Sequence, residues 1–507
     1  MHFAASTLAC LSALVGVSNG ALDVDFSSKD SIKQAAKLVA TDLMSFYKGD
    51  QPGMLPGMLP GPASTTGQRD LYFWWQSGAM WGTMIDYWHY TGDETWNDKV
   101  IFGLLGQAGD NHDFNPTNWS LQMGNDDQAF WGMASLGAAE TKFKDPPSDQ
   151  PQWLALTQAV WNEQQKRLTT GFDKDCNGGL HWQVFSGNQG YDYKNSECFA
   201  ILLGSGFEGV LPLAWFPPIC GMMDDTFVDT VFFNNKAISN GAFFNMGARL
   251  ALYSDNKTYA DIAAESWEWV QGVGLVDKDW NVYDGANTGP DPETGKERNC
   301  TNINKLQYSY NAAVMIQGAA VMYKYTKDDI WAQRVQSLTK RTIEFFFPNG
   351  TAYEPTCEHA LCTMDATSFK GYLHRWLGYA VQMVPAIRDE VMPVLQSSAR
   401  AAVKTCTGGD NGRMCGFRWS SGAFDNEVGA GQQMNVLGAL SVLLMDDAPP
   451  LVTSQNGGTS QGNPNAGAKD RNPAELRDVT QGDKVGAGFV TLFLLLAGIG
   501  TYLWMDF

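Results

Sequence analysis

Two aspartates, Asp126 and Asp127, stand side by side in the run LQMGNDDQAFWGMA at residues 121–134. On a regular helix with ~3.6 residues per turn, neighbouring positions point about 100° apart, so the two cannot share one helical face. In a helix's first turn, or in the loop before it, both can converge on a cleft, and the helix dipole there favours negative charge. Retaining glycosidases use two carboxyl groups about 5 Å apart. One attacks the sugar carbon; the other protonates the leaving oxygen and later deprotonates the acceptor. Repulsion between carboxylates so close keeps one of them protonated as the acid. Two other readings compete. Asn125 or Asp126 could cap a helix, with Asp127 in its first turn. An aspartate-rich magnesium motif, as in helical terpene cyclases, would want a further acidic residue, but Ala129, Phe130 and Trp131 follow.

Aromatic residues form a second constellation. The run DLYFWWQSGAMWGTMIDYWHY holds Tyr72, Trp74, Trp75, Trp81 and Trp88, and Trp119, Trp131, Trp182, Tyr308, Tyr310 and Trp376 lie elsewhere. Aromatic faces stack on the CH-rich faces of sugar rings, while amides and carboxylates read hydroxyls. Most of these rings sit inside helical patterns and belong to a core; two or three are expected to line a cleft. The candidates for substrate contact are Trp74, Trp75, Asn125, Gln128, Trp131, Trp182, Asp192, Tyr308 and Asn311. Asp86 and the pair His374–Arg375 read as hydrogen-bonding groups at the core's edge. No phosphate loop, nucleophile elbow or dinucleotide fingerprint occurs, and no cofactor is called for.

The elements that must position these groups are helices. Most segments between residues 27 and 445 carry apolar residues at helical spacing, as in SIKQAAKLVATDLMSFYKG, with Ser27 or Ser28 as N-cap and Gly49 just past the end. A weak repeat recurs in DYWHYTGDETW, RLALYSDNKTY and VMYKYTKDDIW: a helix ending in Tyr90, Tyr253 or Tyr325, a polar turn, then an aromatic opening the next helix. Helical hairpins repeated in this way form an open solenoid or a closed ring; the irregular spacing favours a closed α/α toroid. Residues 53–70, with Met-Leu-Pro-Gly twice over, read as a loop.

Composition bounds the setting. The net charge of −19 argues against nucleic acid as a partner, which needs a basic footprint. Residues 1–20 read as a cleaved secretory signal. The expected main domain runs over 21–445, followed by a polar linker at 446–484 and an apolar tail at 485–507. That tail reads as a glycosylphosphatidylinositol attachment signal, or alternatively as a tail anchor. Leaving out Cys10 in the signal, eight cysteines remain, an even number that suits disulfides in a secreted chain. Cys357 with Cys362 and Cys406 with Cys415 are close enough for local bridges; Cys176 and Cys300 are further candidates. The cysteines and histidines show no zinc-site spacing, so no metal is expected. Glycosylation sequons stand at Asn118, Asn256, Asn299 and Asn349.

The segments NDDQAFWGMA, GGLHWQ, YDYKN, AISNGAFFNMGARLALYSDNKTY and YSYNAAVMIQGAA together resemble glycoside hydrolase family 76. Within it the chain is similar to the lipid-anchored fungal cell-wall subgroup, the defective-cell-wall and filamentous-growth proteins. The resemblance covers residues 25–445. It implies an (α/α)6 barrel and retaining chemistry on α-1,6-linked mannose, with Asp126 matching the nucleophile and Asp127 the acid/base. It also implies as partners mannose-containing glycans, glycosylphosphatidylinositol-anchored glycoproteins and wall glucan, at the outer plasma membrane or wall. One departure is an apolar, proline-broken insert at about 196–236. It is either a loop, closed by Cys198 and Cys220, or an intron translated in frame; its composition favours the second. The loop at 53–70 is also longer than the resemblance implies, long enough to crowd a cleft.

Overall fold

The computed structural model describes residues 20–61, 71–169, 176, 178–185, 235–287 and 300–467. Twelve α-helices follow one another among these residues: α1 (Lys29–Met44), α2 (Trp74–Thr91), α3 (Asn97–Gly106), α4 (Asn125–Glu140), α5 (Trp153–Thr169), α6 (Ala237–Ser254), α7 (Lys257–Val273), α8 (Ser309–Thr326), α9 (Asp329–Phe346), α10 (Phe369–Met383), α11 (Arg388–Lys404) and α12 (Ala430–Ser441). The even-numbered helices pack in sequence, and α12 returns to α2, closing a ring; the odd-numbered helices lie against its outside. This is the expected (α/α)6 barrel.

Sequence decides which layer a helix joins. α8 and α12 are small and apolar nearly all round, and from Ser309 to Met322 and from Ala430 to Ser441 every residue is buried. In α9, by contrast, the buried positions Trp331, Arg334, Val335, Leu338, Thr339, Thr342 and Phe346 trace a single stripe, as expected of a helix with one wet face. The repeat seen in the sequence is the hairpin from inner to outer helix. Tyr90, Tyr253 and Tyr325 lie in the last turns of α2, α6 and α8, and Trp96, Tyr259 and Trp331 open or cap α3, α7 and α9. All six inner helices therefore start at one end of the ring.

α1 begins where expected, with Ser28 Oγ accepting the Ser31 N–H, but it ends at Met44 rather than near Gly49. The Ser45 hydroxyl donates to the Asp42 carbonyl at 2.7 Å, a local bond that competes with helix continuation. A three-stranded antiparallel sheet, β1 (Asn235–Lys236), β2 (Gly285–Asn287) and β3 (Asn302–Asn304), accompanies the barrel; β1 runs directly into α6. In the loop before α2, Pro56 and Gly57 pack against α3, and Met58 and Leu59 are buried.

The packed body continues past residue 445. A strap over residues 448–467 is stitched to α4, α5 and α6: Val452 N–H donates to Glu140 O at 2.7 Å, Ser454 N–H to Leu252 O at 3.0 Å, and Asn162 Nδ2 to Pro464 O at 2.9 Å. These strap residues fall within the stretch 446–484 expected as a linker. Disulfides join Cys176 to Cys300, Cys357 to Cys362 and Cys406 to Cys415. Asn118, Asn256 and Asn349 are exposed in loops, and Asn256 also caps α7 through its side chain. The signal region up to residue 19, Asp192, Cys198, Cys220, the insert up to 234, Asn299 and everything after 467 lie outside the described residues.

Candidate active site

Asp126 and Asp127 occupy the second and third positions of α4, at the end where the inner ring begins. Gly124 is the N-cap, and its N–H donates to Asp127 Oδ2 at 2.7 Å, while Asp126 Oδ1 accepts the Asp127 N–H at 3.0 Å. Amide N–H groups left open at a helix start are natural partners for carboxylates. Gly124 is required for a spatial reason: a Cβ there would fall 2.2 Å from Asp126 Oδ1 and 3.1 Å from the Trp182 indole nitrogen. Asp126 is only 7% exposed, whereas Asp127 is half-buried.

The segment around Trp182 is laced to this turn. Asn125 N–H donates to Trp182 O at 2.7 Å, Val184 N–H to Met123 O at 3.0 Å, and Asn125 Nδ2 to His181 O at 3.0 Å. From the other side Asn240 on α6 holds Leu180, accepting its N–H at 2.7 Å and donating to its carbonyl at 3.0 Å. Two motifs distant in sequence thus form one wall beside Asp126.

The facing wall comes from α2, α8 and α10. Tyr310 lies parallel to Phe369 with ring centroids 3.9 Å apart, and Tyr308 meets Phe369 edge-on at 5.6 Å. Trp75 packs against Phe130 and donates its indole N–H to Asp365 at 3.2 Å. Burial raises the Tyr310 phenol well above its usual pKa, and the charges of Asp284, Asp126 and Asp365 push it further, so it stays protonated. The Tyr308 phenol is raised in the same direction by burial first, then by Asp284, Glu354 and Asp365. Asp284, just before β2, is oriented by Asn304 Nδ2 at 3.2 Å.

Among the candidates read from sequence, Asp126, Asp127, Trp75, Trp182 and Tyr308 gather here. The others do not. Asn125 and Gln128, one turn apart, face α5: Arg167 Nη1 donates 2.7 Å bonds to both side-chain oxygens, and Gln128 Nε2 donates to Asp113 O and Glu163 Oε2. They clamp α4 in place, with every side-chain amide atom of both residues bonded to protein. Trp131 is 0% exposed, stacked on Trp74 at 5.2 Å and tilted against Phe114 at 5.6 Å. Trp74 is itself core, its indole donating to Gln107 at 2.8 Å. Asn311 is 0% exposed, and neither side-chain polar atom has a partner among the described residues. Asp284 and Asp365 were missed, since isolated aspartates in turns carry no local signal. Arg375 pairs with Asp86 at 2.6 Å, and His374 Nδ1 lies 2.6 Å from the Lys370 carbonyl.

Comparison with known proteins fits this arrangement. The sequence matches glycosyl hydrolase family 76 over residues 31–202 and 230–455, with the gap between them inside the insert. It is 36% identical over 494 residues to mannan endo-1,6-alpha-mannosidase DCW1 of Saccharomyces cerevisiae, covering 96% of each chain. Among solved structures, Dfg5 from Chaetomium thermophilum, in complex with glucosamine, superposes with a TM-score of 0.75 at 41% identity, covering 89% of this chain and 99% of that one. An inactive variant of an alpha-1,6-mannanase from Salegentibacter, bound to alpha-1,6-mannotriose, shares the fold at a TM-score of 0.57 and 15% identity, covering 82% of this chain and 99% of that one. With its barrel closed and its sequence matched along nearly the whole ring, the chain belongs to glycosyl hydrolase family 76, in the fungal subgroup of these relatives, and is a glycoside hydrolase.

Proposed function

We propose that the protein is a retaining glycosidase of α-1,6-linked mannose that passes the glycosyl group to a sugar acceptor. Asp126 attacks the anomeric carbon, while Asp127 protonates the departing oxygen; Asp127 then takes the proton from the incoming hydroxyl. The observation that carries this reading is the placement of both carboxylates in the first turn of α4, with Asp126 between the Trp182 segment and Tyr310. The names of the relatives support the substrate. So does the bacterial mannanase, whose inactive form carries asparagine at two consecutive aspartates.

A covalent intermediate is what lets an acceptor other than water intervene. The substrate we propose is the mannose core of a glycosylphosphatidylinositol anchor, and the acceptor is wall glucan, at the outer face of the plasma membrane. The apolar tail at 485–507 supports that location. Water as acceptor would make the protein a hydrolytic endo-mannanase. A non-catalytic mannan-binding role has one observation in its favour: Asp127 Oδ2 already accepts the Gly124 N–H, as a helix cap would. Mass spectrometry of products from an α-1,6-mannose-containing anchor glycan, with and without a glucan oligosaccharide, separates the three. A mannosylated glucan made by wild type and not by Asp126→Asn supports transfer. Release to water alone indicates hydrolysis, and bound glycan with no product indicates the binding role.

A further inference from the structure

The tyrosines at the start of α8 are held from behind by a buried ionic network. Ser309, between Tyr308 and Tyr310, gives both its donors to Glu354: the N–H to Oε2 at 3.2 Å, and the hydroxyl to Oε1. The Glu354 N–H donates to Glu358 Oε2 at 3.0 Å, and the same oxygen accepts Lys370 Nζ at 3.1 Å. Lys370 directly follows Phe369, the ring on which Tyr310 stacks. Its ammonium also donates to the Phe417 carbonyl and lies over the rings of Phe417 and Trp419 at 4.0 and 4.6 Å. The network therefore grips the residue between the two tyrosines and the residue after Phe369.

Such a cluster is a poor stability device. Glu354 and Lys370 are 0% exposed, and Glu358 Oε1 has no hydrogen-bond partner among the described residues. Buried ions that are incompletely paired are often no better than an apolar core of the same volume, so a geometric role is the better account. We infer that Glu354 is a positioning residue for glycan binding: through Ser309 it sets Tyr308 and Tyr310 against Phe369 and so shapes the surface on which a sugar ring rests beside Asp126. The inference rests on the glycosidase reading. It goes beyond that reading by assigning a substrate-affinity role to a residue that touches no substrate.

The test compares wild type with Glu354→Gln, Ser309→Ala and the double variant, all as the full secreted protein. Turnover of α-1,6-mannotetraose gives kcat and KM, and calorimetry in an Asp126→Asn background gives Kd. Melting temperature tracks the fold, and Ser309→Ala serves should Glu354→Gln fold poorly. The expected result is KM and Kd raised about tenfold in either single variant, the loss of roughly one hydrogen bond's influence. The double variant should be no worse than the singles, with kcat unchanged. Variants that melt earlier but keep wild-type KM and Kd overturn the inference and leave the glycosidase reading standing; so does a fall confined to kcat. A wild type that neither binds nor cleaves the tetraose removes that reading and the inference with it.

Discussion

The two ends of the inner ring use carboxylates in opposite ways. Where the inner helices end, Glu140 receives Arg249 through three hydrogen bonds of 2.6, 3.0 and 3.2 Å and the Tyr379 hydroxyl at 3.0 Å. Asp86 pairs with Arg375 beside it, and Leu451 of the strap helps line a cavity of about 40 Å³ between them. At roughly 10–15 Å³ per water that space admits a few waters and no sugar. Where the helices begin, Asp126 and Asp127 accept backbone N–H groups, and Asp365 accepts an indole N–H. Helix dipoles account for the contrast: their negative ends call for arginine, and their positive ends welcome carboxylates. One end is built to be closed, the other to hold negative charge against a wall of mostly buried aromatic rings, of which Tyr308 and Trp182 are half-exposed.

The sharpest way to break this comparison is to neutralise each end in turn. Asp126→Asn or Asp127→Asn should lower turnover by about four orders of magnitude, with the melting temperature almost unmoved, as expected when one member of a catalytic unit is lost; an asparagine variant with wild-type rates would remove the assignment. Glu140→Ala should do the reverse. It strands Arg249 in the interior and should cost about 3–5 kcal/mol in urea unfolding, while the surviving folded protein keeps its kcat.

His374 sharpens the contrast through pH. Burial lowers its pKa to about 4 from an ordinary 6.5, so the folded state prefers the neutral ring. Its share of stability is intact above pH 6.5, where both states are neutral. It declines as the pH falls towards 4, because the unfolded chain takes up the proton first, for a total of roughly 3 kcal/mol. Unfolding free energies at pH 7 and pH 5 should converge in His374→Asn; an unchanged difference would exclude His374 as the source. The smallest effect expected is from Gly124→Ala, whose methyl group would displace the Asp126 carboxylate. A loss of activity of about tenfold to a hundredfold is expected from such a misplacement, with little loss of stability, measured by kcat/KM beside thermal unfolding.

Much of this architecture was legible in the chain. Helices apolar on every side and a repeated tyrosine-turn-aromatic hairpin sufficed for a closed double ring, and Gly-Asn-Asp-Asp ahead of an apolar run placed both aspartates at a helix start. What escaped notice has physical causes. Strands of two or three residues are too short to show alternation. The strap is held by polar side chains and backbone reaching helices about 300 positions away, as with Ser460 on Leu154, and its composition resembles a linker. Asn125 and Gln128 read as amides for sugar hydroxyls and Trp131 as a stacking ring, yet a helix turns successive residues away from one another, and these face Arg167 or the core.

The bridge between Cys176 and Cys300 has a consequence for handling the protein. It spans a sequence separation of 124 that includes the insert together with α6 and α7. A protease cut within 196–236 would therefore release nothing: both fragments would run as one band in non-reducing electrophoresis and part only after thiol treatment. Material nicked in the insert would pass purification as intact chain unless the gel is reduced.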